Sequence, residues 1–333
     1  MKKIALIISG GDGAGINCTI GAIAESKKYE LMGFNDSFDG IISNDSIRLK
    51  SSFMENKYLD GKQVIRTSRS KLPRTQKGID KIKESLHSKD IDALIICGGN
   101  GSLVSAKKLF DNGINTIYVP MTIDNDVNYS SYSIGYDTAL NNILNTIKGL
   151  EDTSANMPGR IFMVEVLGGN SGHLALESGL AGFADLIIIP EFSTDYDDIA
   201  NAVTNKLKNK NSLIIICSES AYEEKNYEIG NQGISLAIGK IIQSKTGIRV
   251  RHTIMGFNIR SGRPTERDAL IATLMGHKCK TMIENDEYGE MISYKNGKIE
   301  GIDFEIIEPS QIKKLDETQL LVAKDRKMII GGI

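Results

Sequence analysis

The sequence has no tryptophan and only six prolines, four cysteines and four histidines in 333 residues. Cys18, Cys97, Cys217 and Cys279 form no C-x-x-C pair. That argues against a disulfide framework or a zinc site and for small buried thiols in a cytoplasmic protein. His87, His173, His252 and His277 share no metal-ligand spacing. An excess of one charge is missing too. Forty Lys and Arg against 42 Asp and Glu leave a net charge of −2, without the basic surplus of a nucleic-acid binder. No stretch approaches the ~18 uninterrupted apolar residues of a membrane span. The apolar start, Ile4 to Ile8, breaks at Ser9-Gly10-Gly11-Asp12. It is too short for a signal-peptide core and reads as a buried first strand. No internal repeat, low-complexity tract or Pro- or Ser-rich linker separates one part of the chain from another, so the domains are expected to interlace.

What is present is ordinary globular composition, 41% hydrophobic and 25% charged, long enough for roughly two domains of ~100–200 residues. Short apolar runs at 3–9, 30–34, 93–97, 116–119, 161–166, 184–189, 212–217 and 250–257 read as strands. Helical patterns at 16–29, 78–88, 102–110, 138–150, 172–182, 196–208, 234–245 and 266–283 lie between them. Continuous rather than alternating apolar runs indicate strands covered on both faces. Alternation of strand and helix indicates parallel sheets with right-handed crossovers. The expected fold is α/β: two interlaced three-layer α/β/α domains with mostly parallel sheets. The tail from 284 is more polar, with one hairpin predicted at Asn296-Gly297 and no recognisable motif.

The sequence uses lysine as its default cation, 29 against 11 arginines. Eight of those arginines fall in two short stretches: Arg66, Arg69 and Arg74, then Arg249, Arg251, Arg260, Arg263 and Arg267. Arginine offers a bidentate fork that lysine lacks, so the clustering points to phosphate or carboxylate recognition or to an ion-pair network. Three predicted strand ends carry special loops, where ligands of parallel sheets bind. Ser9-Gly10-Gly11-Asp12-Gly13-Ala14-Gly15 and Gly98-Gly99-Asn100-Gly101-Ser102 are glycine clusters entering helices. Such loops let backbone N–H groups and a helix terminus approach an anion. Neither matches a Walker A or a G-x-G-x-x-G pattern. The third, Thr122-Ile123-Asp124-Asn125-Asp126, offers a carboxylate to take a hydroxyl proton and further oxygens to orient a metal-bound phosphate. By itself it reads first as an acidic turn that satisfies its own backbone.

Taken together with Gly135-Tyr136-Asp137-Thr138-Ala139, Val164-Glu165-Val166, Pro190-Glu191 and Arg260…Gly262…Pro264…Arg267-Asp268, these loops resemble the bacterial, single-repeat 6-phosphofructokinases over about residues 3–275. The resemblance implies a cytoplasmic homo-oligomer, a dimer or tetramer, with shared active sites. Its reaction would carry a phosphoryl group from Mg·ATP to the 1-hydroxyl of fructose 6-phosphate. It implies Asp124 as the general base, flanked by Thr122 and Asp126, and Gly10, Gly11, Arg69, Gly98, Gly99, Asn100, Gly101 and Ser102 on the donor side. Mg²⁺ would sit near Asn100 and Asp124. The sugar phosphate would meet Arg160, Gly168, Glu219, Arg251, Phe257 and Arg260, two of the three arginines reaching in from a neighbouring subunit. The implied donor domain is 1–137 plus about 250–300. The implied sugar-phosphate domain is about 138–249 plus 301–333.

Four positions depart from the family pattern. Asn100 stands where an acidic residue usually helps hold the metal, and keeps one oxygen acceptor. Gly169 stands where an arginine usually stabilises transition-state charge. Phe257 replaces His or Tyr, and Met121 replaces Gly or Lys. Gly101, where pyrophosphate-dependent members carry Asp, leaves room for the α-phosphate of ATP. Pyrophosphate as donor, another sugar phosphate as acceptor, and a catalytically impaired paralogue acting as a sensor are the alternatives. A nucleotide or NAD kinase fits the Gly-Gly-Asn-Gly-Ser loop but leaves Arg251, Arg260 and Glu219 without a role, and the glycine spacing is wrong for a dehydrogenase. The family's effector-binding arginines correspond to Gly21, Glu25 and Glu151 here. The two carboxylates repel a polyphosphate, and the glycine offers it no charge. Titration with adenosine diphosphate or phosphoenolpyruvate is therefore expected to leave the substrate saturation curve unchanged, and a sigmoidal-to-hyperbolic change would contradict this.

Overall fold

The computed structural model describes residues 1–192, 195–221, 233–308 and 311–328. The strands are β1 (Lys2–Ser9), β2 (Tyr29–Phe34), β3 (Ser46–Arg48), β4 (Thr67–Ser68), β5 (Ala93–Gly98), β6 (Thr116–Pro120), β7 (Ile161–Val166), β8 (Leu186–Ile188), β9 (Leu213–Ser218), β10 (Val250–Ile254), β11 (Glu290–Lys295) and β12 (Lys298–Asp303). The chain forms two units, one of Met1–Thr138 with Arg260–Lys313, the other of Ala139–Ile259 with the segment from Lys314 onward. Residues 250–259 thus go with the second unit, because β10 pairs with β7. Residues 301–313 go with the first, because β12 pairs with β11 and β11 with β6.

The first unit holds an eight-stranded sheet in the order β12-β11-β6-β5-β1-β2-β3, with β4 beside β1. It is parallel except at its two ends, β2–β3 and β11–β12. Ile4 to Ile8 and Leu94 to Cys97 are fully buried, as runs covered on both faces must be. Each such isoleucine contributes roughly 1.5–3 kcal/mol of burial. The second unit holds a wholly parallel four-stranded sheet, β10-β7-β9-β8. Its core gathers Ile161, Met163, Leu213, Ile215, Ile238 and Ile242.

Several elements differ from the sequence expectation. The first helix runs only from Ile16 to Ala24, because Tyr29 is taken by parallel pairing with Lys2 at the start of β2. The 250–257 strand stops at Ile254, and residues Gly256–Arg260 form a 3₁₀ turn that begins with Gly256 at φ +50°. The helix expected at 138–150 extends from Tyr136 to Asn156. The tail hairpin forms where predicted, with Asn296 at φ +51° and Gly297 at φ +78°, the pair of left-handed residues a tight hairpin requires.

Candidate active site

Sheet register decides where the loops go. Ser9 pairs with Gly98 and with Ser68, and Gly98 pairs with Pro120. The carboxyl ends of β1, β4, β5 and β6 therefore lie in one row, and their loops emerge side by side. They enclose a cleft of about 470 Å³ lined by Gly10, Gly11, Arg69, Gly99, Asn100, Gly101, Ser102, Thr122, Asp124, Asp126 and Arg260. Gly98 lies beneath the floor rather than in it. A Cβ there would come within 2.3 Å of the Ser9 carbonyl oxygen. Ser102 donates its hydroxyl to that same carbonyl at 2.9 Å, tying the two glycine loops together. Gly10 has φ +107°. A Cβ on Gly11 would sit 2.2 Å from Nη1 of Arg260, so the guanidinium rests on the glycine. A Cβ on Gly101 would meet nothing within 4 Å, leaving open space at the mouth of the helix Asn100–Asp111.

The acidic loop is built from the inside. The Thr122 hydroxyl accepts the Asp124 N–H at 3.2 Å. Asn125 adopts φ +49° and is buried, which leaves Asp124 and Asp126 on either side of it to line the cleft. Asn100 donates its amide to the Asp126 carbonyl at 3.2 Å. Burial pushes the Asp126 carboxyl above the ordinary carboxylate range, with the Asn100 amide pulling the other way. Ser133 donates to the Thr122 carbonyl at 2.8 Å, bracing the loop from behind. Two carboxylates and an amide oxygen are the hard donors that Mg²⁺ takes from protein when phosphates supply the rest. Among the described residues no group of three or more His, Cys, Asp or Glu could hold an ion without such phosphates.

In the second unit Val166 pairs with Ser218, so the segments after β7 and β9 meet. There Glu219 accepts the N–H groups of Gly168 at 3.2 Å and Gly169 at 3.0 Å on one carboxylate oxygen. Gly169 has φ +57°. Arg160 precedes β7 and donates to the carbonyl of Met157 at 2.6 Å. Arg251 lies opposite Phe162 on β10. Both arginines are at the amino end of the sheet whose carboxyl end carries Glu219. At ~3.3 Å per residue, a six-residue strand separates the two ends by about 17 Å. Phe257 is 77% exposed.

A phosphofructokinase family model matches residues 3–283. The chain is 34% identical to an ATP-dependent 6-phosphofructokinase of Clostridium tetani, over 97% of this chain and 99% of that protein. It is 35% identical to another of Alkaliphilus metalliredigens with the same coverage. The chain belongs to the phosphofructokinase family. Its fold matches phosphofructokinase from Saccharomyces cerevisiae with a TM-score of 0.78 and 25% identity, over 91% of this chain and 44% of the yeast chain. It also matches a pyrophosphate-dependent phosphofructokinase from Marinobacter aquaeolei with a TM-score of 0.85 over 99% of this chain and 88% of that one. That second likeness, at 19% identity, concerns the fold alone.

Within this phosphofructokinase, the cleft also holds residues that the motifs did not indicate. Val104, Ser105 and Lys108 line it, beside Arg74, which the arginine clustering singles out. Positions 101, 104, 105 and 108 follow the spacing of one helical face, which could have been read from the sequence once Gly101 was placed. Lys108 is exposed, so its attraction for a polyanion is screened. Lys108→Ala is expected to raise the KM for ATP about threefold at low salt and less at high salt, with kcat unchanged. Initial-rate measurements at two ionic strengths check this. The positions matching the family's effector arginines are otherwise engaged. A Cβ on Gly21 would meet the Tyr58 ring at 2.1 Å, Glu25 pairs with Lys280 at 3.1 Å, and Glu151 lies 3.7 Å from Lys148.

Proposed function

We propose that this chain is an ATP-dependent 6-phosphofructokinase, a glycolytic kinase that converts fructose 6-phosphate to fructose 1,6-bisphosphate in the cytoplasm. The observation that carries the reading is the alignment of Ser9, Gly98 and Pro120, which sets both glycine loops and the Thr122–Asp126 loop around one cleft. The first unit takes the donor and the second the sugar phosphate. The sugar's 1-hydroxyl oxygen attacks the γ-phosphorus of ATP. Its O–H bond breaks, with the proton passing to the Asp124 carboxylate. A new P–O bond forms as the bond to the ADP oxygen breaks. The N–H groups of the glycine loops, with Arg69 and Arg260, hold phosphate oxygens in place. Asp124, Asp126 and the Asn100 oxygen would hold Mg²⁺, which would supply charge neutralisation on the donor phosphates.

Glu219 is positioned to accept sugar hydroxyls. With one of its carboxylate oxygens fixed by Gly168 and Gly169, the other is oriented for the substrate. Arg160 and Arg251 stand at the far end of their own sheet from Glu219. This supports a homo-oligomer in which they reach the 6-phosphate of a neighbouring copy's site, beside its Arg260. The test is a product assay of the purified protein with Mg²⁺ and fructose 6-phosphate, run in parallel with ATP and with pyrophosphate. Fructose 1,6-bisphosphate is expected from ATP. Product from pyrophosphate alone would reverse the donor assignment, and no product from either would refute the kinase reading.

A further inference from the structure

The segment Gln311–Lys313 lies beyond the 3–283 region that the family model matches and carries no motif, yet it is bound to the reaction loop. Ile312 forms an antiparallel bridge with Val127. The Lys313 N–H donates to the Asp126 carbonyl at 3.1 Å, and its ammonium donates to the Ser131 carbonyl at 2.9 Å. Gln311 accepts from the Asn128 amide at 3.1 Å. One residue therefore holds the loop at two points five positions apart, at Asp126 and at Ser131.

The Asp126 carbonyl receives two donors, the Asn100 amide from the glycine loop at 3.2 Å and the Lys313 N–H from the tail. Its main chain is thereby fixed by two separate segments, two residues from Asp124. The ammonium bond is charge-assisted and stronger than a neutral contact. A loop opens locally more readily than a strand or helix of the core, and a displacement of about 1 Å in a reacting group can cost on the order of a hundredfold in rate.

We infer that Lys313 is a positioning residue for phosphoryl transfer, acting through the Asp126–Ser131 loop to hold Asp124 in its reactive place. This rests on the kinase reading above. Lys313→Met keeps the aliphatic stem and the backbone N–H and removes the ammonium, both its bond to Ser131 and its charge near Asp126, while the exchange measurement reads the bond. Lys313→Arg can still donate to Ser131. Two measurements are made on each: steady-state kcat and KM for both substrates, and amide hydrogen exchange over 121–134, which needs no turnover.

In Lys313→Met, kcat is expected to fall about tenfold with both KM values within about twofold, and exchange over 121–134 to quicken about tenfold. Lys313→Arg is expected to restore both. A purely structural contact would lower thermal stability and leave kcat of the folded enzyme unchanged. Unchanged exchange, faster exchange at constant kcat, or a rise in KM alone would each overturn the inference. Asp124→Asn, assayed alongside, tests the kinase reading separately. Should that reading fail, the exchange measurement alone still decides whether Lys313 holds the loop.

Discussion

Asp124→Asn is expected to lower kcat by about 10³-fold or more while leaving KM for ATP and fructose 6-phosphate within about threefold. The amide matches the carboxylate in size, lines the same cleft and can keep the N–H bond to the Thr122 hydroxyl. It cannot accept a proton at neutral pH, so the step that needs a base is lost, and because its neutral amide oxygen holds Mg²⁺ more weakly the assay is run at saturating Mg²⁺. An Asp124→Asn enzyme with wild-type kcat would refute the assignment of the base. The same variant tests whether the site is shared between copies. Mixed with an Arg251→Ser variant in a refolded one-to-one preparation, it is expected to regain activity in roughly a quarter of the sites. A quarter is the share in which an intact Asp124 meets an intact Arg251 from a neighbouring copy under random assembly. Without exchange of arginines between copies, the mixture stays as inactive as its parents.

The parts legible in the sequence are those fixed by local pattern. The Ile4–Ile8 run predicts a strand buried on both faces, and all five residues are fully buried. The Gly10-Gly11 and Gly98–Ser102 loops predict anion-ready strand ends, and the register places them beside each other. Asn296-Gly297 predicts the hairpin because two left-handed residues suit few other structures. Less legible is the stretch from 36 to 75. It folds into the short helices Phe38–Ser43 and Ser51–Met54, the three-residue β3, the two-residue β4 and a 3₁₀ turn at Leu72–Arg74. Elements this short span too few residues for a period to show. Non-local partners are hidden for another reason. That Lys313 would meet Asp126 depends on β11 and β12 extending the sheet beyond β6, which no spacing within the tail expresses. The separation of Arg160 and Arg251 from Glu219 likewise depends on which end of a strand each occupies, not on residue type.

Asp268 carries the largest expected effect on stability. It is fully buried, and its carboxylate accepts four hydrogen bonds. Tyr132 Oη at 2.6 Å and the Gly135 N–H at 2.8 Å reach one oxygen. The Thr138 N–H at 2.7 Å and the Thr138 hydroxyl at 2.5 Å reach the other. Burial pushes its carboxyl upward, and the donors pull it back. In Asp268→Asn one of those acceptors becomes an NH₂ group. Whichever way the amide turns, an N–H donor faces another N–H, of Gly135 or of Thr138, across a dry contact. A buried donor left without its partner, added to the loss of charge-assisted bonds, costs about 3 kcal/mol, within a range of roughly 2–5. Urea unfolding is expected to show this as a lower midpoint with an unchanged slope, and an unchanged midpoint would contradict it. The damage also reaches the chemistry. Residues 132–135, pinned by Asp268, present Ser133 to the Thr122 carbonyl and pair Ile134 with Met121. Loosening them frees the reaction loop at contacts Lys313 does not make, so the folded fraction of Asp268→Asn is expected to lose kcat as well.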